Sequence, residues 1–509
     1  MEFHEKLDFP MNITKTSNSL LGQRVNLDSS HISRLRRGQR GPLKDEAIIG
    51  SMADYFARHC HEDYQRKAIA DALKLNYTAA DANDLSICIK EWFMDKKQED
   101  VKSVEDFLSN FKMARTRSET FQVEQQNDLY ASPVLDEISV YYGIEGKRQA
   151  AEYFLNDVIA RNQPQTLLLY SDEATDWMTE DPKFAIKWSK LMISALSKGN
   201  QIKIIHTVSR NLDEMLNAIS QWMPLYMSGA IEPYYYPKKR DGLFKKTLFI
   251  SPGVSAVVAS SIGNMADQAA NMLIRDEVAI EAFAAEFHQY LSQCKPLMRI
   301  FSSKDFNRYL ETLTEFEKEK SNAVIKTESL SLVTMPDAVA ADIIGRFNAP
   351  NWDLLPYLKL RKQTFEENLK TNTAYEIIPK LDLEMINRNE VIVSFSDMMD
   401  GGALHYTKEE YVKHLEHIAY LLEENKNYHI KMVEGVTDSA YNLYVKDDIG
   451  AIVVKTSSPP IILAINEKNL SSAFWDYLIS TIGERDYHHP NDEEELKELK
   501  EYIYRIKSS

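Results

Sequence analysis

One stretch near the amino terminus constrains the fold of this chain more than any other: residues 17–42, which read SNSLLGQRVNLDSSHISRLRRGQRGP. Apolar residues recur there at helical spacing in two short runs, at Leu20, Leu21, Val25, Ile32 and Leu35. The carboxylate of Asp28 can accept the free amide hydrogens of a helix that begins at Ser29. Gly22 has no side chain, so a second helix can cross the first closely there. The spacing therefore predicts two short helices, Ser17–Val25 and Ser29–Arg37, joined by a tight turn.

Two helices joined in this way form a helix-turn-helix, whose second helix lies in the major groove of DNA. The stretch resembles the lambda-repressor-like (Xre-type) family of transcriptional regulators through Leu20, Leu21, Gly22, Val25, Ile32, Ser33, Leu35, Gly38 and Pro42. The resemblance covers residues 1–60 and implies double-stranded DNA as the partner. The residues that we expect to contact DNA are Ser17, Asn18, Ser29, Ser30, His31, Arg34, Arg37, Arg40 and Lys44. The alternative is a plain two-helix hairpin inside a larger helical domain.

Charge is distributed unevenly along the chain. The net charge of −16 argues against non-specific binding of nucleic acid by the whole protein. Residues 24–44, in contrast, contain six basic side chains and one acidic side chain. Such a patch suits a DNA-reading domain, because contacts to phosphates supply much of the affinity for DNA. An ordinary solvated face is the alternative interpretation.

The cysteines and the hydropathy pattern indicate the compartment. Cys60, Cys88 and Cys294 lie far apart and offer neither a disulfide framework nor the spacing of a zinc site. A metal at His59-Cys60-His61 would need a second ligand pair, which the sequence does not show. No apolar run approaches the ~18 residues of a membrane helix. We therefore expect a cytoplasmic protein with no metal, no cofactor and no membrane partner.

The length of 509 residues predicts two to four domains. Residues 61–130 read as helix and are expected to link the domains and to help form a homodimer. From Ile138 onward, strand-like segments alternate with helix-like segments, which is typical of an α/β layer. The predicted fold class is therefore multidomain: an all-α helix-turn-helix head (1–60), a helical linker (61–130) and an α/β body. We expect the body to consist of two related halves, 131–295 and 296–509, the second with a C-terminal helix.

Several segments of the body are predicted to correspond. TLLLYSDE (166–173) and VIVSFSD (391–397) both read as strands that end in polar residues, and SLSLVTMP (329–336) is a further predicted strand. TLFISPGVSAVVASS resembles NLYVKDDIGAIVVKT, since both read as hairpins with a glycine at the turn. Residues 265–293 are expected to form one long helix.

A duplicated unit of this kind resembles the phospholipase D-like fold, whose active members need His-x-Lys-x4-Asp in both halves. The histidine attacks phosphorus and the lysine neutralises phosphate oxygens. The hairpin at residues 247–251 lacks both residues at the required places, and Leu443–Lys446 lacks the histidine. His429-Ile430-Lys431 is the single His-x-Lys, and Asp438 lies two positions beyond the required spacing. We therefore expect a body without catalytic activity.

The resemblance also implies a cleft between the two halves, where strand ends meet and ligands tend to bind. We expect this cleft to bind a small-molecule or protein effector, and acids beside an aromatic ring favour a cationic or hydroxylated one. The candidate residues are Ser171, Asp172, Glu173, Asp176, Trp177, His206 and Asp397. The alternative is that these side chains are ordinary helix caps and surface turns.

The sequence thus predicts a DNA-binding transcriptional regulator with a sensing body rather than an enzyme. An effector that binds one arrangement of the body more tightly would shift the population of states that bind DNA. Two alternatives remain: a phosphodiesterase or nuclease of the phospholipase D type recruited to DNA, and an interaction module of a prophage or defence system.

Overall fold

The computed structural model describes most of the chain. The described residues are 3–37, 46–60, 62–73, 82–113, 137–161, 163–173, 176–206, 212–237, 243–263, 265–302, 305–346, 354–394, 396, 403–434, 441–457 and 460–509. The chain divides into two compact units, and each is considered by itself. The helical unit contains residues 1–106 and 472–487, and the α/β unit contains residues 107–471 and 488–509.

The amino-terminal part of the chain is helical. Its helices are α1 (Phe3–Ile13), α2 (Asn18–Arg24), α3 (Ser29–Arg36), α4 (Glu46–His59), α5 (Asp63–Ala72) and α6 (Ala82–Met113). Apolar side chains from these helices form one core, which includes Leu7, Leu21, Ile32, Phe56 and Phe93. The helical unit therefore extends past residue 60.

The pair α2 and α3 forms where the sequence places it. The hydroxyl of Ser17 accepts the N–H of Leu20 (3.2 Å), and the carboxylate of Asp28 accepts the N–H of Ser30 (2.7 Å). A Cβ at Gly22 would lie 2.5 Å from the carbonyl oxygen of Leu27, so only glycine fits this close approach. Leu20 is 42% exposed and is therefore not part of the apolar stripe that the sequence predicts for this helix.

The described residues of the first half of the body form eight strands and five α-helices. In chain order these are β1 (Ile138–Tyr142), α7 (Gly143–Ala160), β2 (Thr166–Ser171), α8 (Asp176–Thr179), α9 (Pro182–Ser197), β3 (Gln201–His206), α10 (Leu212–Tyr226), β4 (Ile231–Tyr235), β5 (Phe244–Ser251), β6 (Ser255–Ile262), β7 (Ala270–Ile274), α11 (Glu277–Leu291) and β8 (Lys295–Pro296).

The strands of this half form one mixed sheet in the order β1-β7-β6-β5-β2-β3-β4-β8. Strands β2, β3 and β4 run parallel, whereas β5, β6, β7 and β1 pair in antiparallel fashion. Helix α11 packs on one face, against side chains such as Leu168 and Leu248. The neighbouring residues Leu169 and Phe249 point to the opposite face, because side chains alternate along a strand.

The remaining elements of the chain follow in order. They are β9 (Met298–Ser302), α12 (Phe306–Lys318), β10 (Ala323–Lys326), α13 (Asp337–Gly345), α14 (Leu354–Leu369), β11 (Ala374–Lys380), α15 (Leu383–Asn387), α16 (Lys408–Glu424), β12 (Tyr428–Glu434), β13 (Tyr441–Lys446), β14 (Gly450–Lys455), β15 (Ile461–Ile465), α17 (Lys468–Ile482), α18 (Glu484–His488) and α19 (Asp492–Ser508). The strands form a second mixed sheet in the order β12-β11-β10-β13-β14-β15-β9.

The two sheets share one strand order. If β9 to β15 are matched in chain order with β1 to β7, both sheets follow the same sequence of neighbours. In each sheet, three parallel strands are followed by a run of antiparallel strands, beginning with β5 in the first and β13 in the second. The sheets lie next to each other in the α/β unit: β8 ends at Pro296, and the N–H of Leu297 donates to Pro233 of β4 (2.9 Å) just before β9 begins.

Three predicted elements are wrong. Residues 265–293 are not one helix, because a 3₁₀ turn (Met265–Gln268) and strand β7 precede α11. SLSLVTMP contains a 3₁₀ turn at Leu332–Thr334, and the strand of this region is β10, upstream of it. In the described part of VIVSFSD, the strand pairing is limited to one bridge, between Ile392 and His405. Its alternating apolar residues belong to a buried loop instead: Val391 and Val393 are 1% and 4% exposed in the core of the second half.

Candidate functional site

The first candidate site is the exposed surface of α3. Ser29, Ser30, Arg34 and Arg37 are exposed, whereas Ile32 and Leu35 are fully buried. The hydrogen bonds from Ser30 lower the pKa of Asp28, which keeps the capping carboxylate ionised. The helix therefore presents two hydroxyls near its first turn and two guanidinium groups near its last turn on a well-anchored backbone. His31 is half-buried beside them.

Arg36 has a different role from Arg34 and Arg37. Its Nε donates to the Asp8 carboxylate (2.8 Å), with which it also forms an ion pair, and its Nη1 donates to the Asn18 side chain (2.9 Å). These bonds tie α3 to α1 and to the first residue of α2. Asn18, a predicted DNA contact, is thus held by Arg36, and Ser17 caps α2. Arg40 and Lys44 lie outside the described residues.

The second candidate site is a cavity of ≈ 120 Å³ in the first half of the body. It lies between the face of the sheet that contains Leu169 and Phe249 and the helices α7 to α10. Its walls are largely aromatic: the lining rings are Phe154, Trp177, Trp188, Trp222 and Phe249, whereas the ring of Tyr170 packs on the other face of the sheet, 5.1 Å from Tyr290. The Trp177 and Phe249 rings are 6.3 Å apart, and those of Trp188 and Trp222 meet edge to face at 5.4 Å.

Four of the predicted effector residues line this cavity: Ser171, Glu173, Trp177 and His206. Ser171 and His206 are neighbours because β2 and β3 run parallel and end in register. Asp172 follows the same strand but is not among the lining residues, and its N–H donates to the Lys246 carbonyl (2.9 Å). The side chain of Asp176 and the whole of Asp397 lie outside the described part of the structure.

Lys147 is a site residue that the sequence does not reveal. It lies in the first turns of α7, is 2% exposed, and places its Nζ 2.9 Å from Glu173 and 2.7 Å from the Thr247 hydroxyl. Burial lowers the pKa of Lys147, and the charge of Glu173 opposes that effect. Glu173 also accepts the Ser261 hydroxyl (2.9 Å). The Glu173 carboxylate therefore already has a cation and a hydroxyl as partners.

His206 supplies a neutral polar group to the same cavity. Burial lowers its pKa to about 4, so the imidazole is uncharged near neutral pH. One ring nitrogen, Nε2, lies 2.5 Å from the Tyr226 hydroxyl. Among the described residues, the other ring nitrogen has no hydrogen-bond partner.

The second half contains a buried polar network. Glu376 of β11 is 2% exposed and accepts the Tyr428 hydroxyl (2.7 Å) and the Ser331 N–H (3.1 Å). Thr334 links this carboxyl to His414, whose Nδ1 lies 3.1 Å from the Tyr406 hydroxyl. Burial raises the pKa of Glu376 to about 7 and lowers that of His414 to about 3. A cavity of ≈ 40 Å³ in this half shares no lining residue with the cavity of the first half.

The shared cleft predicted between TLLLYSDE and VIVSFSD is therefore not supported. The described part of VIVSFSD lines the small cavity of the second half, through Val393, Ser394 and Ser396. Tyr234 of β4 and Tyr236, one residue beyond the end of β4, pack towards α11, where the Tyr236 ring lies 5.4 Å from the Tyr290 ring.

The His429-x-Lys431 pair contacts the C-terminal helix. His429 Nδ1 lies 2.8 Å from Asp492, and Lys431 Nζ lies 3.0 Å from Glu495. Glu495 also accepts the N–H of Met432 (2.9 Å), so α19 lies along the edge strand β12. Asp438 lies outside the described residues.

The described residues show neither a metal-binding cluster nor a membrane-spanning helix. No cluster of three or more His, Cys, Asp or Glu side chains there is placed to hold a metal ion. Cys60 is buried, which raises its pKa to about 11, and His59 stacks on Tyr55 at 4.0 Å. None of the helices described combines the length and the apolar character needed to cross a membrane.

No protein family and no curated protein matches this sequence. Among solved structures, the chain is similar to TrmBL2, an archaeal chromatin protein with a novel mode of DNA binding, at 16% identity, over 55% of this chain and 99% of that one, with a TM-score of 0.23. It is also similar to a polyphosphate kinase from Porphyromonas gingivalis, at 8% identity and a TM-score of 0.23, over 67% of this chain. The match spans about half of the kinase chain, 49%. Both TM-scores are too low to assign a fold or a function.

Proposed function

We propose that this chain is a sequence-specific DNA-binding transcriptional regulator whose α/β body senses an effector without catalysis. The observation that carries the proposal is α3: a capped helix with two buried apolar residues and an exposed row of Ser29, Ser30, Arg34 and Arg37. In a helix-turn-helix, the N-terminal residues of such a helix reach base edges, and arginines contact bases and phosphates.

The test uses the full-length protein and a DNA sequence selected from a random pool. Arg34→Ala should weaken specific binding by ~1–3 kcal/mol and relax the preference for one base. Arg37→Ala should weaken binding to all sequences alike and lower the salt dependence by about one phosphate contact. Arg58→Ala is the matched control, because it removes one exposed arginine from α4. If the three variants bind DNA equally well, the α3 assignment is wrong.

We further infer that the two halves of the body are copies of one phospholipase D-like unit. The shared strand order supports this inference, and so do two glutamates at equivalent positions. Glu173 and Glu328 each follow the first parallel strand of their sheet, β2 or β10, by two residues. Each glutamate also accepts a hydrogen bond from a hydroxyl at the same place in its half, the seventh residue counted from the start of β6 or of β14. The donors are Ser261 for Glu173 (2.9 Å) and Thr456 for Glu328 (2.8 Å).

We propose that the body does not hydrolyse phosphodiesters. Phosphoryl transfer through histidine needs an imidazole that can reach phosphorus, with a lysine beside it. His429 and Lys431 are instead engaged by Asp492 and Glu495 of α19.

We also propose that the regulator acts as a homodimer, because one small head reads few base pairs and useful affinity normally needs two half-sites.

A further inference from the structure

We propose that the cavity of the first half binds a neutral, single-ring aromatic molecule that carries one hydroxyl group. Binding of such a molecule depends on this cavity alone. Its role as the effector rests on the proposed regulatory function. Size, charge balance and the pattern of polar groups in the cavity each support it.

The size of the cavity fits one six-membered ring. Its volume is ≈ 120 Å³. Apolar cavities of roughly 150 Å³ in proteins stay dry and take up benzene. Because five aromatic side chains line it, a flat ring can contact other rings edge to face or offset, which is the geometry such pairs prefer. A sugar or a nucleotide would need a larger space.

The charge balance of the cavity favours a neutral ligand. Glu173 is the acidic residue of the lining, and its carboxylate already contacts Lys147 (2.9 Å) and the Ser261 hydroxyl (2.9 Å). A cationic ligand would compete with Lys147, whose Nζ also lies 5.1 Å from the Trp177 ring. An anionic ligand would meet the Glu173 charge. A charged group would thus lose its hydration without gaining a free partner, which is costly.

The polar groups of the cavity favour one hydroxyl. His206 is neutral, its Nε2 is engaged by the Tyr226 hydroxyl, and its Nδ1 has no partner among the described residues. A hydroxyl is the smallest group that can either donate to that nitrogen or accept from it, so it suits both tautomers. Ser171, a further polar residue of the lining, already shares a hydrogen bond with the Thr247 hydroxyl (3.0 Å). The other walls offer rings and aliphatic side chains such as Leu155 and Met192.

The cavity has a built-in reporter for a binding experiment. Trp177, Trp188 and Trp222 line it, and the whole chain contains six tryptophans. Titration of the full-length protein with phenol should therefore change the tryptophan fluorescence and saturate. Toluene tests the hydroxyl and should bind more weakly, by a factor of about ten or less, as expected for one neutral hydrogen bond. Benzoate and benzylamine, which are charged at pH 7, should bind at least about tenfold more weakly than phenol.

Cavity-filling variants locate the binding site. Ala151→Leu should abolish phenol binding, because Ala151 is buried in the wall of this cavity. Ile204→Phe fills the same space from β3 and gives a second test if the first variant does not fold. Ala340→Leu is the matched control: it makes the same change in the wall of the ≈ 40 Å³ cavity of the second half, and phenol binding should persist.

The proposal is overturned if phenol does not bind the wild-type protein, or if it binds equally to the folded Ala151→Leu and Ile204→Phe variants. Tighter binding of benzylamine or benzoate would also overturn it. These results do not depend on DNA binding, which the Arg34 and Arg37 variants measure without ligand. A failure of the cavity proposal is therefore distinguishable from a failure of the regulator proposal.

Discussion

Replacement of Glu376 by glutamine should make the second half of the body more stable at alkaline pH. The carboxyl is buried among Tyr428, Thr334 and the Ser331 N–H, and burial raises its pKa from 4.5 to about 7. Glutamine has the same shape as the protonated acid. Its carbonyl can accept from Ser331, and its amide can donate to the Tyr428 hydroxyl. The variant therefore keeps the neutral form of the network at every pH.

The magnitude follows from the pKa. Since the folded state binds this proton more tightly than the unfolded state, the stabilisation is fully present below pH ~4.5. It is lost as the pH rises from 4.5 to about 7, and the loss is constant at higher pH. One pKa unit corresponds to ~1.4 kcal/mol, so the total is ~3 kcal/mol. Relative to wild type, Glu376→Gln should thus gain ~2–3 kcal/mol between pH 5 and pH 8.5.

Amide hydrogen exchange measures this gain locally, which suits a chain with several units. The amides of β11 and β12 should be compared in wild type and variant at the same pH, so that the intrinsic exchange rate cancels. The ratio of protection factors should rise by roughly a hundredfold between pH 5 and pH 8.5, because ~1.4 kcal/mol is tenfold. Buried histidines such as His414 also make stability depend on pH, but they are present in both proteins and cancel.

Glu390→Gln is the matched control, because Glu390 is an exposed glutamate of the same half. Its protection ratio should not change with pH. The reasoning fails if Glu376→Gln gives the same protection ratio at pH 5 and pH 8.5. It also fails if the ratio falls with pH, since that would mean that folding lowers the pKa of this carboxyl instead of raising it.

Three further outcomes are expected. Gly22→Ala should destabilise the helical unit by about 1–3 kcal/mol and weaken DNA binding, because the new Cβ would lie 2.5 Å from the Leu27 carbonyl oxygen. An unchanged melting temperature of the variant would contradict this prediction. Wild type and His429→Ala should bind DNA equally and hydrolyse no phosphodiester above background, whereas metal-independent cleavage that the substitution abolishes would identify an enzyme. Sedimentation at micromolar concentration should detect a dimer, and a monomer both on and off DNA would refute the assembly.

The helices of the head could be predicted because their signals are local. Ser17, Gly22 and Asp28 each act within a few residues of their own position, through a cap or a close approach. The strands of the body were harder to predict. Strand β7 (ANMLI) consists largely of residues that also suit a helix, and its pairing with β6 and β1 decides its conformation. Conversely, VIVSFSD alternates like a strand in sequence, but its described residues form a loop in which Val391, Val393, Ser394 and Ser396 are all buried.

The candidate cavity could be predicted only in part. Ser171, Glu173 and His206 follow or end strands, and parallel strands bring their ends together, so the sequence pattern finds them. Lys147, Trp188 and Trp222 come from helices that are distant in sequence, and their positions depend on how those helices pack on the sheet. The balance of charge at Glu173, which decides between a cationic and a neutral ligand, depends on Lys147 and therefore requires the structure.

If the two halves are copies, they have diverged in what fills the space beside the sheet. Both retain a glutamate after the first parallel strand with a hydroxyl partner on the hairpin, Glu173 with Ser261 and Glu328 with Thr456. The first half adds Lys147 and leaves a cavity of ≈ 120 Å³, whereas the second half leaves ≈ 40 Å³ and buries a polar network around Glu376. A cavity of ≈ 40 Å³ is too small for an aromatic ring, so the proposed effector should bind with a stoichiometry of one per chain despite the internal repeat.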